Sequence, residues 1–258
     1  MSNSSLVSYT KLSPCKNSPR NHAIDTITIH CMAGNLSVES CGALFQNYNR
    51  QTSSNYGIGS DGRIALYVNE SDRSWCTSSR SNDHRAITIE VANDGGASTG
   101  WHVSDKAMAS LINLLVDICK RNNIPELRWK GDKNLIGQVD KQNMTVHRWF
   151  AAKACPGDYL YGAHSQIAAE VNKRLKGENP KPINQNQVEA FKPFIVKVDI
   201  PNLNIRKGPG SNFARTGRYT GKGRFTIVEV IEGVGSKTGW GKLKSGAGWI
   251  SLDYTKRV

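Results

Sequence analysis

The chain has 258 residues, a formal net charge of +13, 38% hydrophobic residues and 21% charged residues. This apolar content is sufficient for a folded core, which excludes a disordered or collagen-like chain, and the length accommodates one large domain or two ordinary ones. No apolar run is long enough for a membrane-spanning helix, which needs roughly 18 residues or more.

The positive charge is concentrated in the last third of the chain. Residues 181–258 carry 14 basic and 5 acidic residues, whereas residues 1–180 carry 20 and 16. A strongly basic module favours an anionic partner, and charge alone leaves nucleic acid, an anionic membrane surface and an anionic cell-wall polymer open. The N-terminal segment lacks the apolar core of a signal peptide, so we expect a protein made in the cytoplasm without an export signal of its own.

The first part of the chain alternates strand and helix patterns. Alternating or β-branched apolar runs predict strands at 24–30, 56–58, 64–68 and 86–92, with an Asp-Gly hairpin turn at 60–63. Apolar spacings of three and four predict helices at 37–48, with Ser37 as N-cap, at 104–122 and at 164–175. Strands interleaved with helices predict an α/β domain in which a mixed β-sheet is flanked by helices.

The segment 177–190, GENPKPINQNQVEA, predicts a linker because it is rich in Pro, Asn and Gln. It separates a domain at 1–176 from a domain at 191–258. The second domain has frequent glycines and short β-branched runs without a helical period, which predicts a small all-β barrel. Its small core is expected to depend on four aromatic residues, Phe194, Phe225, Trp240 and Trp249.

The cysteine spacing disfavours a zinc finger. Six cysteines, at 15, 31, 41, 76, 119 and 155, form no C-x-x-C pair. For a chain without a signal peptide we expect free thiols that are mostly buried as small apolar groups. Strand alternation predicts that Cys31 faces away from its neighbour His30.

Three features carry candidate metal chemistry. His30 closes a predicted strand, and His147 and Cys155 are separated by seven residues, a spacing suited to a loop that folds back to one metal ion. Histidine and cysteine are both good zinc ligands. Three such ligands leave one zinc position open for water, which is the catalytic arrangement rather than the structural one.

Two charged residues complete this candidate site. Glu90 lies within an apolar strand, where a carboxylate is costly to bury and is therefore paired or functional, and it can accept the proton of a water molecule. Lys153, two residues before Cys155, can donate to a developing oxyanion. The same residue types also permit a thiol hydrolase in which Cys155 is the nucleophile.

Five motifs occur in order across residues 22–175: TITIH, SSNYGIGSDGRI, RSW, AITIEVAND and VHRWFAAKACPGDYL. Together they resemble the zinc-dependent N-acetylmuramoyl-L-alanine amidase family, which includes phage lysozyme-type amidases and the peptidoglycan recognition proteins. The sequences of these motifs are most similar to those of amidase endolysins of clostridial phages and prophages. The resemblance implies a Zn²⁺-dependent hydrolase that cleaves the amide between N-acetylmuramic acid and L-alanine in Gram-positive cell walls.

The resemblance also implies roles for six residues. The zinc ligands match His30, His147 and Cys155. Glu90 matches the acid that positions and deprotonates the water, Lys153 matches the lysine that stabilises the oxyanion, and Tyr56 matches a tyrosine near the metal. Branches of the family differ in whether they rely on the tyrosine or on the acid.

Two positions depart from the family pattern. Asn55 stands where many members have histidine, and Cys76 follows Trp75 where many have Trp-His. Neither position is a zinc position, so these departures are expected to alter contacts at the rim of the site. Trp75 and His84 are candidates for lining a peptide groove.

The C-terminal segments LNIRKGPGSNF, GWGKL and GAGWISLDYT resemble a bacterial SH3-like cell-wall-binding domain. The implied partners are peptidoglycan and anionic cell-wall polymers, with no nucleic acid and no membrane insertion. Such an enzyme is expected to act on the wall after release by a holin or by lysis. The sequence does not indicate an oligomeric state.

Two further interpretations stay open at this point: a non-catalytic peptidoglycan-binding sensor and a Cys/His cell-wall peptidase. Retention of Cys155 disfavours the sensor, since the binding-only recognition proteins usually lack that ligand. A nucleic-acid-binding protein lacks support from a phosphate-cradling glycine loop. The remaining histidines, His22, His84, His102 and His164, are expected at surface or capping positions, and both Trp240 and Trp249 are expected in the barrel core rather than as sugar platforms.

Overall fold

The computed structural model describes residues 2–177, 193–211, 213–231 and 234–258. The chain divides into two compact units, Met1–Asn179 and Pro180–Val258. The linker predicted at 177–190 lies outside the described residues except for Gly177, so its limits and those of the two domains stay predictions. No helix in the described part of the chain is long and apolar enough to cross a membrane.

The first unit is built on a mixed β-sheet. Its strands are β1 (Tyr9–Thr10), β2 (Lys16–Asn17), β3 (Thr26–Cys31), β4 (Tyr56–Ile58), β5 (Ile64–Leu66), β6 (Arg73–Ser74), β7 (Ala86–Val91) and β8 (Met144–Thr145). Six of them form one sheet in the order β1-β5-β4-β7-β3-β8, and β2 pairs with β6 in a separate ribbon. The four strands β4, β7, β3 and β8 run parallel, whereas β5 is antiparallel to β4.

Helices cover both faces of this sheet. They are α1 (Val38–Leu44), α2 (Arg80–Arg85), α3 (Asp105–Arg121) and α4 (Gly157–Leu175). The largest apolar cluster joins α3 and α4 to one face of β3 and β7, through Ile27, Ile29, Ile87 and Ile89. A smaller cluster joins α1 to the alternate residues of β5 and its continuation, Ala65 and Tyr67. The predicted α/β architecture, a mixed sheet flanked by helices, is confirmed.

Two predicted helix starts are confirmed by their caps. Ser37 Oγ accepts a hydrogen bond from the Ser40 N–H at 3.2 Å, and Ser104 Oγ accepts one from the Ala107 N–H at 3.2 Å. Each such cap contributes about 1 kcal/mol. α1 ends four residues before its predicted end, because the Asn47 side chain accepts from the Asn49 N–H at 3.1 Å and begins a separate 3₁₀ turn.

Two histidines predicted at surface or capping positions are buried. α4 begins at Gly157 rather than at 164, so His164 lies inside the helix, fully buried, with its Nδ1 2.6 Å from the Leu160 carbonyl oxygen. Burial lowers the pKa of His164 to about 4. His84 is 6% exposed and its Nδ1 accepts from the Asn21 N–H at 3.0 Å. The predicted surface placement is therefore wrong for both residues.

The second unit is an antiparallel all-β structure. Its strands are β9 (Phe194–Val198), β10 (Asn204–Arg206), β11 (Arg215–Tyr219), β12 (Gly223–Ile231), β13 (Trp240–Leu243), β14 (Trp249–Ser251) and β15 (Lys256–Arg257). They form one sheet in the order β11-β10-β14-β13-β12-β9-β15. This confirms the predicted all-β class and is consistent with an SH3-like domain. β11 and β15 escaped prediction because neither carries an alternating apolar pattern.

The core of the second unit contains the predicted aromatic residues. Trp240 and Trp249 are 3% and 8% exposed, so both are core residues rather than exposed platforms, as predicted. Phe194 and Phe225 are partly buried against the aliphatic cluster. That cluster consists of Val196, Val198, Leu203, Ile205, Ile227, Leu243 and Ile250.

Candidate functional site

Parallel strand register places three of the predicted site residues at one edge of the sheet. His30 lies directly opposite Glu90 in the β3–β7 ladder. On the other side of β3, Thr28 pairs with Thr145. His30 and His147 each follow their threonine by two residues, so both lie at the carboxyl ends of neighbouring strands. This end of a parallel sheet is where open α/β folds bind their ligands.

The loop after β8 returns Cys155 to the same edge. Arg148 holds the loop closed, because its backbone N–H donates to the Cys155 carbonyl at 3.1 Å and its Nη2 donates to the Ala154 carbonyl at 2.6 Å. Cys155 Sγ lies 3.3 Å from His30 Nδ1. Ligand atoms of His30, His147 and Cys155 all lie within 4.8 Å of one another. The structure thus brings together the three predicted zinc ligands.

This donor set fits a zinc ion. Zinc bonds of roughly 2.0–2.1 Å to nitrogen and 2.3 Å to sulfur place tetrahedral neighbours about 3.4–3.8 Å apart. Within the described part of the chain, His30 Nε2 and Glu90 Oε2 are buried without a hydrogen-bond partner. Burial and the neighbouring His147 hold the pKa of His30 well below its usual range, which favours the neutral imidazole that a metal requires.

Cys31 packs on the apolar face of β3, and Cys155 approaches it at the end of the strand. A hydrogen bond with Cys155 lowers the pKa of Cys31, and the same bond, burial and the Glu90 carboxylate raise the pKa of Cys155. Cys31 therefore shares a face of β3 with Ile29, opposite His30, as strand alternation predicts, while the loop that carries Cys155 passes the end of the strand. A cation at the site would stabilise the Cys155 thiolate. All six cysteines are free, as predicted.

Glu90 is a buried carboxyl group beside the candidate ligands. Its Oε1 lies 3.9 Å from His30 Nδ1, and its side chain is only 17% exposed. Burial and the nearby Cys31 raise the pKa of Glu90 well above its usual range. A carboxyl group in such surroundings is suited to accept and return a proton at the edge of a reactive site.

Lys153 is exposed at a surface groove that reaches the cluster. The groove has a volume of about 430 Å³, and Lys153, His147, Trp75 and Cys76 are among its lining residues. Burial and the nearby Lys153 charge lower the pKa of His147. Trp75 therefore lines this groove, whereas His84 lines a different hollow that contains none of the predicted site residues.

Tyr56 does not belong to the cluster, and its predicted place near the metal is wrong. β4 pairs Tyr56 with Ile89 and Gly57 with Glu90, so strand alternation directs Tyr56 to the opposite face from Glu90. Its ring is fully buried in the core that α3 and α4 cover. Its hydroxyl donates to Glu70 Oε1 at 2.6 Å and accepts from the Ser4 N–H at 2.9 Å.

Replacement of Tyr56 by phenylalanine is expected to affect stability and not catalysis. Loss of a buried hydrogen bond to a charged group costs about 1.5–3 kcal/mol, which urea denaturation of the full chain measures as a lower free energy of unfolding. At urea concentrations below the unfolding midpoint of the variant, its amidase activity should match that of the wild type. Tyr48→Phe is the control, because Tyr48 is 55% exposed. A large loss of turnover in the folded Tyr56→Phe variant would show that Tyr56 takes part in the reaction.

Sequence reasoning underestimated Cys76 and missed a polar network beneath the histidines. A Cys76 ligand atom lies within 4.8 Å of those of His30 and Glu90, so this residue belongs to the cluster and not only to its rim. Thr28 Oγ1 lies 2.7 Å from Thr145 Oγ1, and Asn82 hydrogen-bonds to both hydroxyls. No motif marks this network, since its members are joined only by the fold.

Asn55 does not lie at the rim of the site, where its departure from the family pattern was expected to act. It is fully buried, and its Nδ2 donates to the carbonyls of Val68 and Asn69, both at 3.2 Å. Its Oδ1 accepts from the Thr88 N–H at 3.2 Å. The departure at this position therefore changes how strands are joined and not a substrate contact.

Comparison with family models identifies one family. The family model of N-acetylmuramoyl-L-alanine amidases matches residues 20–158. A search of curated proteins finds no match.

Similar solved structures include three amidases or endolysins. One is the endolysin N-acetylmuramoyl-L-alanine amidase LysCS from Clostridium intestinale, at 20% identity over 64% of this chain and 93% of that chain, with a TM-score of 0.46. A second is AmpD, at 18% identity over 64% and 96%, with a TM-score of 0.47. The third is a mutant endolysin from Bacillus subtilis, at 19% identity over 63% and 97%, with a TM-score of 0.44.

Proposed function

The chain belongs to the N-acetylmuramoyl-L-alanine amidase family, and from that premise we propose that it is a zinc-dependent endolysin of Gram-positive cell walls, of clostridial phage type. The peptidoglycan amide between N-acetylmuramic acid and L-alanine is hydrolysed to a lactyl carboxylate and a free alanine amino group. The observation that carries this proposal is the convergence of His30, His147 and Cys155 within 4.8 Å, with Glu90 beside them.

Each residue has a separate role in the proposed reaction. His30, His147 and Cys155 would hold the zinc ion, which when bound would supply Lewis-acid polarisation of the scissile carbonyl and would lower the pKa of the attacking water. Glu90 accepts the proton of that water and returns it to the leaving amine nitrogen. Lys153, at the open groove, donates to the oxyanion that develops on the carbonyl oxygen. The proton balance is closed because Glu90 ends in its starting state.

Replacement of Lys153 by alanine is expected to lower kcat by about 10²–10³-fold with a smaller change in KM, as for other oxyanion donors. Lys153→Arg should retain more activity, since it keeps a cationic donor at this position. Lys173→Ala, at an exposed position of α4, is the matched control. Equal activity of Lys153→Ala and Lys173→Ala on purified walls would remove Lys153 from the mechanism.

A Cys/His peptidase is the second candidate, because Cys155 Sγ lies 3.3 Å from His30 Nδ1. A nucleophilic cysteine needs a lowered pKa, whereas the pKa of Cys155 is raised by its hydrogen bond to Cys31, by burial and by Glu90. Chelation separates the two functions. The proposed amidase loses activity in a chelator and regains it with added zinc, whereas a peptidase using Cys155 keeps its activity in the chelator.

We assign the catalytic role to residues 1–176 and wall attachment to residues 191–258. An SH3-like unit that holds the enzyme on an insoluble substrate raises the effective concentration of the catalytic unit there. This assignment is supported by the basic character of the second unit and by its all-β fold. The enzyme made in the cytoplasm would reach the wall after release by a holin or by lysis.

A further inference from the structure

Three cationic side chains lie side by side on the second unit. Arg224 of β12 pairs directly with Lys197 of β9, and Lys197 pairs on its other side with Lys256 of β15. All three residues are exposed. Neighbouring strands are about 4.8 Å apart, so these residues, here called the basic row, span about 10 Å across three strands.

The basic row is poorly neutralised. Lys197 Nζ lies 2.8 Å from Asp199 Oδ1, and a hydrogen bond to Lys197 and the nearby Lys256 and Lys222 lower the pKa of Asp199. One carboxylate therefore faces several cations. The other two acidic residues in the described part of this unit are engaged elsewhere. Glu229 pairs with Lys242 at 3.0 Å, and Asp253 accepts from the N–H groups of Lys237 and Thr238.

Folding alone does not explain this arrangement. Like charges directly opposite each other on neighbouring strands are destabilising. The core of the unit uses the alternate residues of β9, Val196 and Val198, which are buried, whereas Lys197 points to solvent. Any polar residue at the three positions of the basic row would be compatible with the sheet. Three cations in register instead form a surface that an extended polyanion would stabilise.

We infer that the basic row binds the phosphodiester backbone of an anionic cell-wall polymer; this rests on the proposed function of the chain as a wall enzyme. Lysine binds phosphate as a compact point charge, and a line of cations matches charges repeated along a flexible chain. The next pair on the same face is Ile195 and Thr226, which offers no aromatic ring on which a nucleic-acid base would stack.

The test measures sedimentation of the full chain with purified Gram-positive walls. Half of the walls are stripped of phosphodiester-linked polymer with hydrofluoric acid. Lys197→Gln/Lys256→Gln removes two charges of the row. Lys207→Gln/Lys237→Gln is the matched control, because it removes the same charge at exposed positions outside the row. We expect about tenfold weaker binding of the row variant to native walls at low salt, and less than twofold weakening of the control.

Stripping should reduce wild-type binding to the level of the row variant and leave the row variant unchanged. Equal binding of wild type and row variant, equal weakening by the control variant, or undiminished wild-type binding to stripped walls would overturn the inference. So would a row variant that loses affinity for duplex DNA but not for native walls. The melting temperature of the row variant should equal or exceed that of the wild type, since like charges have been removed.

Failure of the inference is distinguishable from failure of the proposed function. Release of alanine amino termini from stripped walls depends on the catalytic unit and not on the basic row. The wild type, the row variant and the control variant should therefore release these termini at similar rates from stripped walls. If they do so while binding native walls equally, the basic row is refuted and the amidase proposal stands. If none releases amino termini while the binding pattern holds, the amidase proposal is refuted and the basic row stands.

Discussion

His30→Ala is expected to reduce amidase activity by at least about 10³-fold and to remove stoichiometric zinc from the purified chain. His30 is the proposed ligand at the buried centre of the cluster, in contact with Cys155 and opposite Glu90. Lewis-acid polarisation of the carbonyl is worth several kcal/mol, and each 1.36 kcal/mol corresponds to about tenfold in rate. Zinc content measured by mass spectrometry and turnover on purified walls should fall together.

His22→Ala is the matched control for this experiment, because His22 is exposed and lines a different hollow that contains none of the candidate site residues. It should retain both zinc and activity. Since His30 is fully buried, Cys155→Ser provides a second variant at a partly exposed ligand. Folded variants that keep stoichiometric zinc and full activity would contradict the assignment of these ligands.

Glu90→Gln is expected to lower kcat by about 10²–10⁴-fold while the zinc content stays at the wild-type level. The substitution keeps the shape of the side chain and removes its ability to take a proton from water. Glu126→Gln is the control, since the Glu126 side chain is 41% exposed and forms an ion pair with Arg128.

The combined readout separates proton transfer from metal binding. Loss of zinc together with activity would show that Glu90 holds the metal site in shape. Full activity of Glu90→Gln would show that another group accepts the proton. Cys76 is close enough to both His30 and Glu90 to be examined in that event.

The sequence was sufficient to identify the candidate ligand residues that the fold brings together, because they are marked by local features. His30 and Glu90 are both identified by their position in a strand, and the spacing of His147 and Cys155 indicates a returning loop. The register that sets His30 opposite Glu90 was not predictable, since a shift of one residue moves every side chain to the other face. The place of Tyr56 near the metal was implied by the family resemblance, and only the pairing with Ile89 shows that its side chain lies on the other face.

A further error, the predicted start of the last helix of the first unit, has an identifiable cause. The sequence does contain a signal for the earlier start of α4. Leu160, His164, Ile167 and Val171 follow helical spacing and are all buried, but a histidine at one of these positions concealed the pattern. Likewise, charge counting located the basic module, whereas only the pairing of β9 with β12 and β15 aligns its cations.

Identification of the bond that is cut tests the central claim most directly. Purified Gram-positive walls are digested with the zinc-loaded full chain, and new amino termini are identified while new reducing sugar ends are counted. We expect new L-alanine amino termini without new reducing ends. Reducing ends without amino termini would identify a glycosidase, amino termini of other residues a peptidase, and the absence of both a binding-only protein; each of these results would contradict the amidase assignment.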